Sequence, residues 1–336
     1  MGNNSASSEG VPNLDVISSN SPKIIEVENA IVVSDVHLGY NKSNTSEFIK
    51  FLQDLVDDGS ASRYAIFVIG DLWDYWRDHN VIVSSESDSV LSLLNKFNQV
   101  YYTPGNHDHV VMHAKEDYPD FSCYHISRYF RVRSGDVNFF LLHGHELEVI
   151  SKLTYLTVDE YEKISDQLCR MNDEEGKVAS YLHEIFHKLV PGRQVEINDL
   201  LQPAEERKGM DTIDKFARSK AKYPLLGMQL GDILIFGHTH RPFFDPQNNA
   251  INTGGWISSM VAPAWFKAKY GNDKVCSGWY VRIERGSYEL VPYNVHGVDM
   301  KDGKAGDDGS KESLKEQLTK QTSNLVSELI GKDHST

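Results

Sequence analysis

The sequence predicts an α/β fold in which sheet strands are covered by helices on both faces. Two observations carry this: short, fully apolar runs alternate with amphipathic stretches of helical period, and most of the runs end in a turn rich in Gly, Asp or His. The first run, residues 30–33, ends in Ser34-Asp35. Residues 44–58 read as a helix with Phe48, Phe51, Leu52 and Leu55 on one face. The strand at residues 65–69 ends in Gly70-Asp71, and residues 85–97 form a second helix carrying Val90, Leu91, Leu93 and Leu94. A third strand, residues 100–102, runs into Pro104-Gly105-Asn106. Residues 137–142 and 233–236 are further strands, and residues 278–283 and 288–292 read as a closing hairpin.

Residues 151–223 differ and read as a helical insertion between two strands. Thr157 and Glu160 form a capping box ahead of Tyr161, Ile164, Leu168 and Met171, and a second stripe joins Val178, Leu182, Ile185 and Leu189. Both stripes suit a core. Six bases between Arg207 and Lys222 face only Asp211 and Asp214, which fits a solvated face and a phosphate-facing wall equally. Outside the main domain, 23–297, lie a flexible N-terminus, 1–22, and a polar linker with a C-terminal helix, 298–336.

Composition narrows the function. The chain has 336 residues, 40% hydrophobic and 24% charged, with a formal net charge of −14, so it has no global attraction for nucleic acid. No apolar run is long enough to span a bilayer, and no secretory leader is visible. Cys123, Cys169 and Cys276 are odd in number and far apart, which reads as reduced thiols in a cytoplasmic protein.

Five strand ends carry chemistry: Asp35-Val36-His37, Gly70-Asp71-Leu72-Trp73-Asp74, Gly105-Asn106-His107-Asp108, His143-Gly144-His145 and Gly237-His238-Thr239-His240. Each follows an apolar run, so each should lie at the carboxyl end of a buried strand, where open α/β sheets bind ligands. Carboxylate, amide and imidazole at neighbouring strand ends make a mixed oxygen and nitrogen metal site. The first four blocks recur about one strand–helix–strand unit apart, which delivers one ligand group per strand.

The ordered set resembles the calcineurin-like metallophosphoesterase superfamily, whose pattern is DxH, GDxxD, GNH(D/E), H and GHxH; all five blocks lie within residues 30–255. The resemblance implies a four-layer αββα sandwich with a two-metal centre along the strand ends. Asp35, His37 and His240 would hold one metal, Asn106, His143 and His238 the other, and Asp71 would bridge them. His143 is preferred to His145 because it comes first off its strand. The implied reaction is hydrolysis of a phosphoester or pyrophosphate by water activated between two divalent ions. His107 is the group for the leaving oxygen, oriented by Asp74. The donor set suits manganese, with Fe, Zn and Mg left open.

Within the superfamily, Asp71-Leu72-Trp73-Asp74-Tyr75-Trp76, Gly237-His238-Thr239-His240-Arg241-Pro242, the insertion and Asn252-Thr253-Gly254-Gly255-Trp256 look like the UDP-2,3-diacylglucosamine pyrophosphohydrolases. These cleave a nucleotide-linked lipid precursor beneath a lid. That branch typically has Arg where this chain has His107. The expected substrate is thus a small-molecule phosphate ester or pyrophosphate, including a nucleotide-linked sugar or lipid. The alternatives are a phosphomonoester or a cyclic nucleotide, and peripheral membrane contact through the insertion is left open. Arg241, His145 and Trp73 are the candidate substrate contacts; Arg241 reads equally as a surface arginine, and Trp73 at least as readily as a core wedge beside the sheet. A Ser/Thr phosphatase would carry VDRG after the second block, a nuclease would want a basic groove, and a silent scaffold would have lost ligands.

Overall fold

The computed structural model describes residues 23–113, 121, 123–154, 156–170, 209–258, 260 and 262–297. Residues 1–22, 171–208 and 298–336 fall outside that set, and with them the expected N-terminus, the stripe from Val178 to Leu189 and the expected C-terminal helix. Among the described residues, twelve strands form two six-stranded sheets. The first contains β2 (Asn29–Val33), β3 (Ala65–Ile69), β4 (Gln99–Thr103) and β5 (His125–Ile126), all parallel. The hairpin β11 (Lys274–Glu284) and β12 (Ser287–Gly297) closes its β2 edge antiparallel, and runs longer than its apolar residues alone indicate. The second sheet has the order β1 (Ile25–Glu26), β6 (Tyr129–Ser134), β7 (Val137–Leu142), β8 (Ile233–Phe236), β10 (Ala250–Asn252) and β9 (Phe243–Asp245).

Helices α1 (Thr45–Asp57) and α2 (Ser85–Leu94) link the parallel strands of the first sheet. Between β7 and β8 come α3 (His145–Ser151), α4 (Val158–Arg170), α5 (Met210–Arg218) and α6 (Lys222–Leu225); α7 (Ala264–Tyr270) precedes the final hairpin. The α2 helix stops at Leu94, three residues short of the apolar pattern, and is N-capped by Ser84, whose hydroxyl accepts from the Ser87 amide. The capping box of α4 forms in full: Thr157 Oγ1 accepts from the Glu160 amide, and Glu160 Oε2 accepts from the Thr157 amide.

Three apolar interfaces separate four layers. Ile31, Val33, Ile66 and Val68 pack on Phe48, Phe51, Leu52 and Val90 of α1 and α2. Their strand neighbours Ala30, Val32, Phe67 and Ile69 point the other way, onto Phe130, Phe139, Leu141 and Ile235 of the second sheet. Phe140, Leu142 and Leu234 then meet Leu147, Met210 and Ile213 of α3 and α5. Because both faces of the parallel strands are covered, their central positions are apolar and β2, β3 and β4 read as short continuous runs, with polar residues such as Asn29, Gln99 and Thr103 only at the strand ends. No helix among the described residues is long and apolar enough to cross a membrane.

Candidate metal centre

Packing the sheets face to face brings the carboxyl ends of β2, β3, β4, β7 and β8 to one rim. Backbone bonds stitch the rim together: Asp35 N–H donates to Gly70 O, Gly237 N–H to His143 O, and Trp256 N–H to Asp35 O. Eight described non-glycine residues have positive φ, and five of them are Asp35, His37, Asp71, His238 and His240. Left-handed backbone costs a non-glycine residue about 1–2 kcal/mol. Here that strain falls on the residues whose carboxylates and imidazoles converge. Two glycines make the convergence sterically feasible. A Cβ on Gly105 would lie 2.1 Å from Asp71 Oδ1, and one on Gly237 would lie 2.1 Å from Asp35 Oδ2.

The buried donors fall into two groups. Asp35, His37 and His240 offer ligand atoms all within 4.8 Å of one another, and so do Asp71, His143 and His238. His240 Nε2 is 3.3 Å from Asp35 Oδ1 and 3.0 Å from His37 Nε2. Asn106 Oδ1 joins the second group, 3.2 Å from His143 Nε2. Asp71 belongs to both, because its Oδ2 lies 3.2 Å from His143 Nε2 and 3.6 Å from His37 Nε2. Two cations about 3.5–4 Å apart repel and need a shared anion, and Asp71 occupies that position. The donor chemistry therefore fits two divalent ions.

Electrostatics favour cations here. Burial alone would push the Asp71 carboxyl up, but the imidazoles of His143, His107 and His37 outweigh it and hold the group well below the usual carboxylate range. Asp35 is likewise held down, by His240 and His143 against its burial. Burial works against the His143 imidazolium, yet Asp71 and Asp35 push its pKa up to about 10. Most of the imidazoles in the two groups also have a visible backing group. His37 Nδ1 lies 3.0 Å from Asp74 Oδ2, and His143 Nδ1 lies 3.0 Å from Ile69 O. His238 Nε2 lies 2.7 Å from Glu148 Oε2.

Asp74 does two tasks. Its Oδ1 lies 2.9 Å from His107 Nδ1, while its Oδ2 meets His37 and the Arg77 guanidinium. Burial opposes its ionisation, but His107 and Arg77 hold its pKa well below the usual range. The His107 ring is stacked on Trp76, with centroids 4.1 Å apart.

Trp73, a candidate substrate contact, is fully buried instead. Its indole N–H donates to Ser87 Oγ, and its ring packs on Tyr102 and Phe121. Arg241 is exposed beside the centre, with Nε 3.7 Å from Asp214. His145 is buried between His143, Tyr161 and Glu162. The described bases of the insertion are largely engaged in structure. Lys222 is buried on the carbonyls of Ala217 and Asn249, Arg218 lies over Phe243, and Lys215 pairs with Asp211. Exposed Lys215 fits a solvated face, whereas buried Lys222 serves the fold and fits neither a solvated face nor a phosphate wall. A cleft of about 730 Å³ between His109 and α4 is lined by Arg128 and Glu162 and by none of the metal-binding residues.

The sequence model described as calcineurin-like phosphoesterase matches residues 29–242. The chain belongs to the calcineurin-like phosphoesterase family. It is therefore a hydrolase acting on phosphoester bonds. The comparison with curated proteins finds no match. Among solved structures this phosphoesterase is similar to a cold-active protein-tyrosine phosphatase of a psychrophile Shewanella sp., at 15% identity over 83% of this chain and 82% of that one (TM-score 0.37). It is similar also to an archaeal phosphodiesterase, at 14% identity over 79% and 99% (TM-score 0.35). A dimetal phosphatase from Danio rerio shares 12% identity over 80% and 99% (TM-score 0.37).

Two buried acids of this phosphoesterase were given no role by sequence reasoning, although Asp108 lies within the third motif block. Asp108 ties the second and third motif turns together, accepting from the amides of Leu72 and Gly105 and from the Tyr102 hydroxyl. Burial and Asp71 raise its pKa to about 6. Glu148 is the other. Its place beside His145 in sequence was the available signal for proximity, but not for its partner.

Proposed function

We propose that the protein hydrolyses a small-molecule phosphate ester with a poor, alkoxide-type leaving group. Asp35, His37 and His240 hold one divalent ion, Asn106, His143 and His238 the other, with Asp71 between them. Bound there, the ions, manganese first, supply the Lewis acidity that activates water and offsets charge on the phosphoryl oxygens. The observation that carries the substrate reading is the His107–Asp74 pair. With Nδ1 bonded to Asp74, Nε2 is the nitrogen that can pass a proton to the departing oxygen. An alkoxide needs that proton, whereas a nucleoside phosphate leaves as a stable anion. The pyrophosphate reading, with a UDP-linked sugar or lipid as substrate, rests on the helices between β7 and β8 and on the turn Asn252-Thr253-Gly254-Gly255-Trp256.

Cys123, Cys169 and Cys276, which form no disulfide with one another, favour a cytoplasmic setting. Contact with a membrane surface follows only from a lipid-linked substrate.

A manganese-supplemented screen across alkyl phosphates, aryl phosphates, cyclic nucleotides and UDP-sugars tests the reading. Alkyl esters should be turned over, and His107→Ala should cost them about 10²–10⁴-fold while costing aryl esters much less. Equal losses on both, or turnover confined to UDP-sugars, would overturn the leaving-group assignment.

A further inference from the structure

The helices between β7 and β8 reach the centre with a carboxylate of their own. Glu148, midway along α3, is fully buried, and its Oε2 lies 2.7 Å from His238 Nε2. Its Oε1 lies 3.3 Å from Lys152 Nζ, one turn on. Lys152 in turn approaches Met210 at the start of α5. Ninety residues separate Glu148 from His238, so folding alone makes this pair.

We infer that Glu148 is a positioning residue for the second ion. By accepting a hydrogen bond from His238 Nε2–H, it fixes the tautomer that presents Nδ1 as the metal-binding lone pair. A carboxylate backing an imidazole ligand also raises that ligand's basicity. The inference rests on the two-ion reading above.

The tie has a structural consequence. Asp214 of α5 is buried too, and its Oδ1 accepts from Thr239 Oγ1 at 3.1 Å. Two successive residues of the Gly237–His240 turn are thus gripped by side chains from the inserted helices. The first group is backed differently: His37 and its partner Asp74 both come from turns of the first sheet. His240 of the first group leaves the same turn, so the contrast lies in the carboxylate itself: removing the Glu148 side chain, with the turn's backbone kept, should loosen the ion at His238 and spare the other.

The test titrates the metal-free full-length chain with Mn(II) and follows ion uptake. Wild type should take up two ions. Glu148→Ala should weaken one of them by about 10–100-fold and leave the other unchanged, and Glu148→Gln, which keeps an acceptor, should recover most of the loss. Nitrogen NMR of the metal-free wild type should show His238 protonated at Nε2, with that preference lost in Glu148→Ala. If Glu148→Ala fails to fold, the Glu148→Gln titration and the wild-type tautomer decide. Two unchanged affinities in Glu148→Ala, or an Nδ1-protonated His238 in wild type, would overturn the inference. A loss in Glu148→Gln as deep as that of His238→Ala would also overturn it, by making Glu148 a ligand. A wild-type chain that takes up no Mn(II) would remove the two-ion reading itself, a separate failure.

Discussion

The two halves of the centre are built from similar donors and held in different ways. In the half made by Asp35, His37 and His240, the imidazole of His37 is backed by Asp74, which also holds His107. One carboxylate therefore touches both a proposed ion ligand and the proposed acid for the leaving group. In the half made by Asn106, His143 and His238, backing comes from a main-chain carbonyl at Ile69 and from Glu148 of the inserted helices. On the proposed reading, the first half would couple metal binding to proton transfer, and the second would couple metal binding to the inserted helices. Asp71, near both, is where the halves meet.

Asp71→Asn should break both halves at once. Its activity loss should exceed the about 10²–10⁴-fold that a general acid is worth, and Mn(II) uptake should fall at both sites. Asp74→Asn sharpens the contrast. It should lower turnover by about 10²–10⁴-fold through His107 and weaken only the first ion, by about 10–100-fold. Next in size is a pH effect on the second half. His143 keeps its proton up to about pH 10 until an ion displaces it. Ion binding through neutral pH thus releases a proton, and affinity should rise with pH by about tenfold per unit. Calorimetry in buffers of different ionisation heat would read that proton, and no release would contradict the assignment. Trp73→Phe, outside both halves, should have the smallest effect. Losing the Ser87 bond and some volume should lower stability by about 1–3 kcal/mol, with kcat/KM within about twofold of wild type. A large kcat/KM loss without a stability loss would return Trp73 to the substrate site.

The five motif blocks were legible because each needs only local information: an apolar run, then a turn with Gly and a donor. The same holds for α1, α2 and the capping box of α4. The strands β1 and β5 are two residues long and leave no periodic trace. Strand β6 alternates buried and half-buried positions, but Arg131 and Arg133 interrupt its apolar character. Sequence left Trp73 open between core and substrate site because Ser87, the partner that lets its indole N–H enter the core, is fourteen residues away. Glu148 reads in sequence as an ordinary helical acid, since only the juxtaposition of α3 with the β8 turn supplies the imidazole it faces. Long-range pairing decided these cases, and it has no local signature.

The most direct test of the two-ion centre is a crystal structure of the manganese-loaded protein with an anomalous difference map. Two peaks should appear about 3.5–4 Å apart on either side of Asp71, one among Asp35, His37 and His240 and one among Asn106, His143 and His238. A single peak, or one bound at His107, would contradict the account.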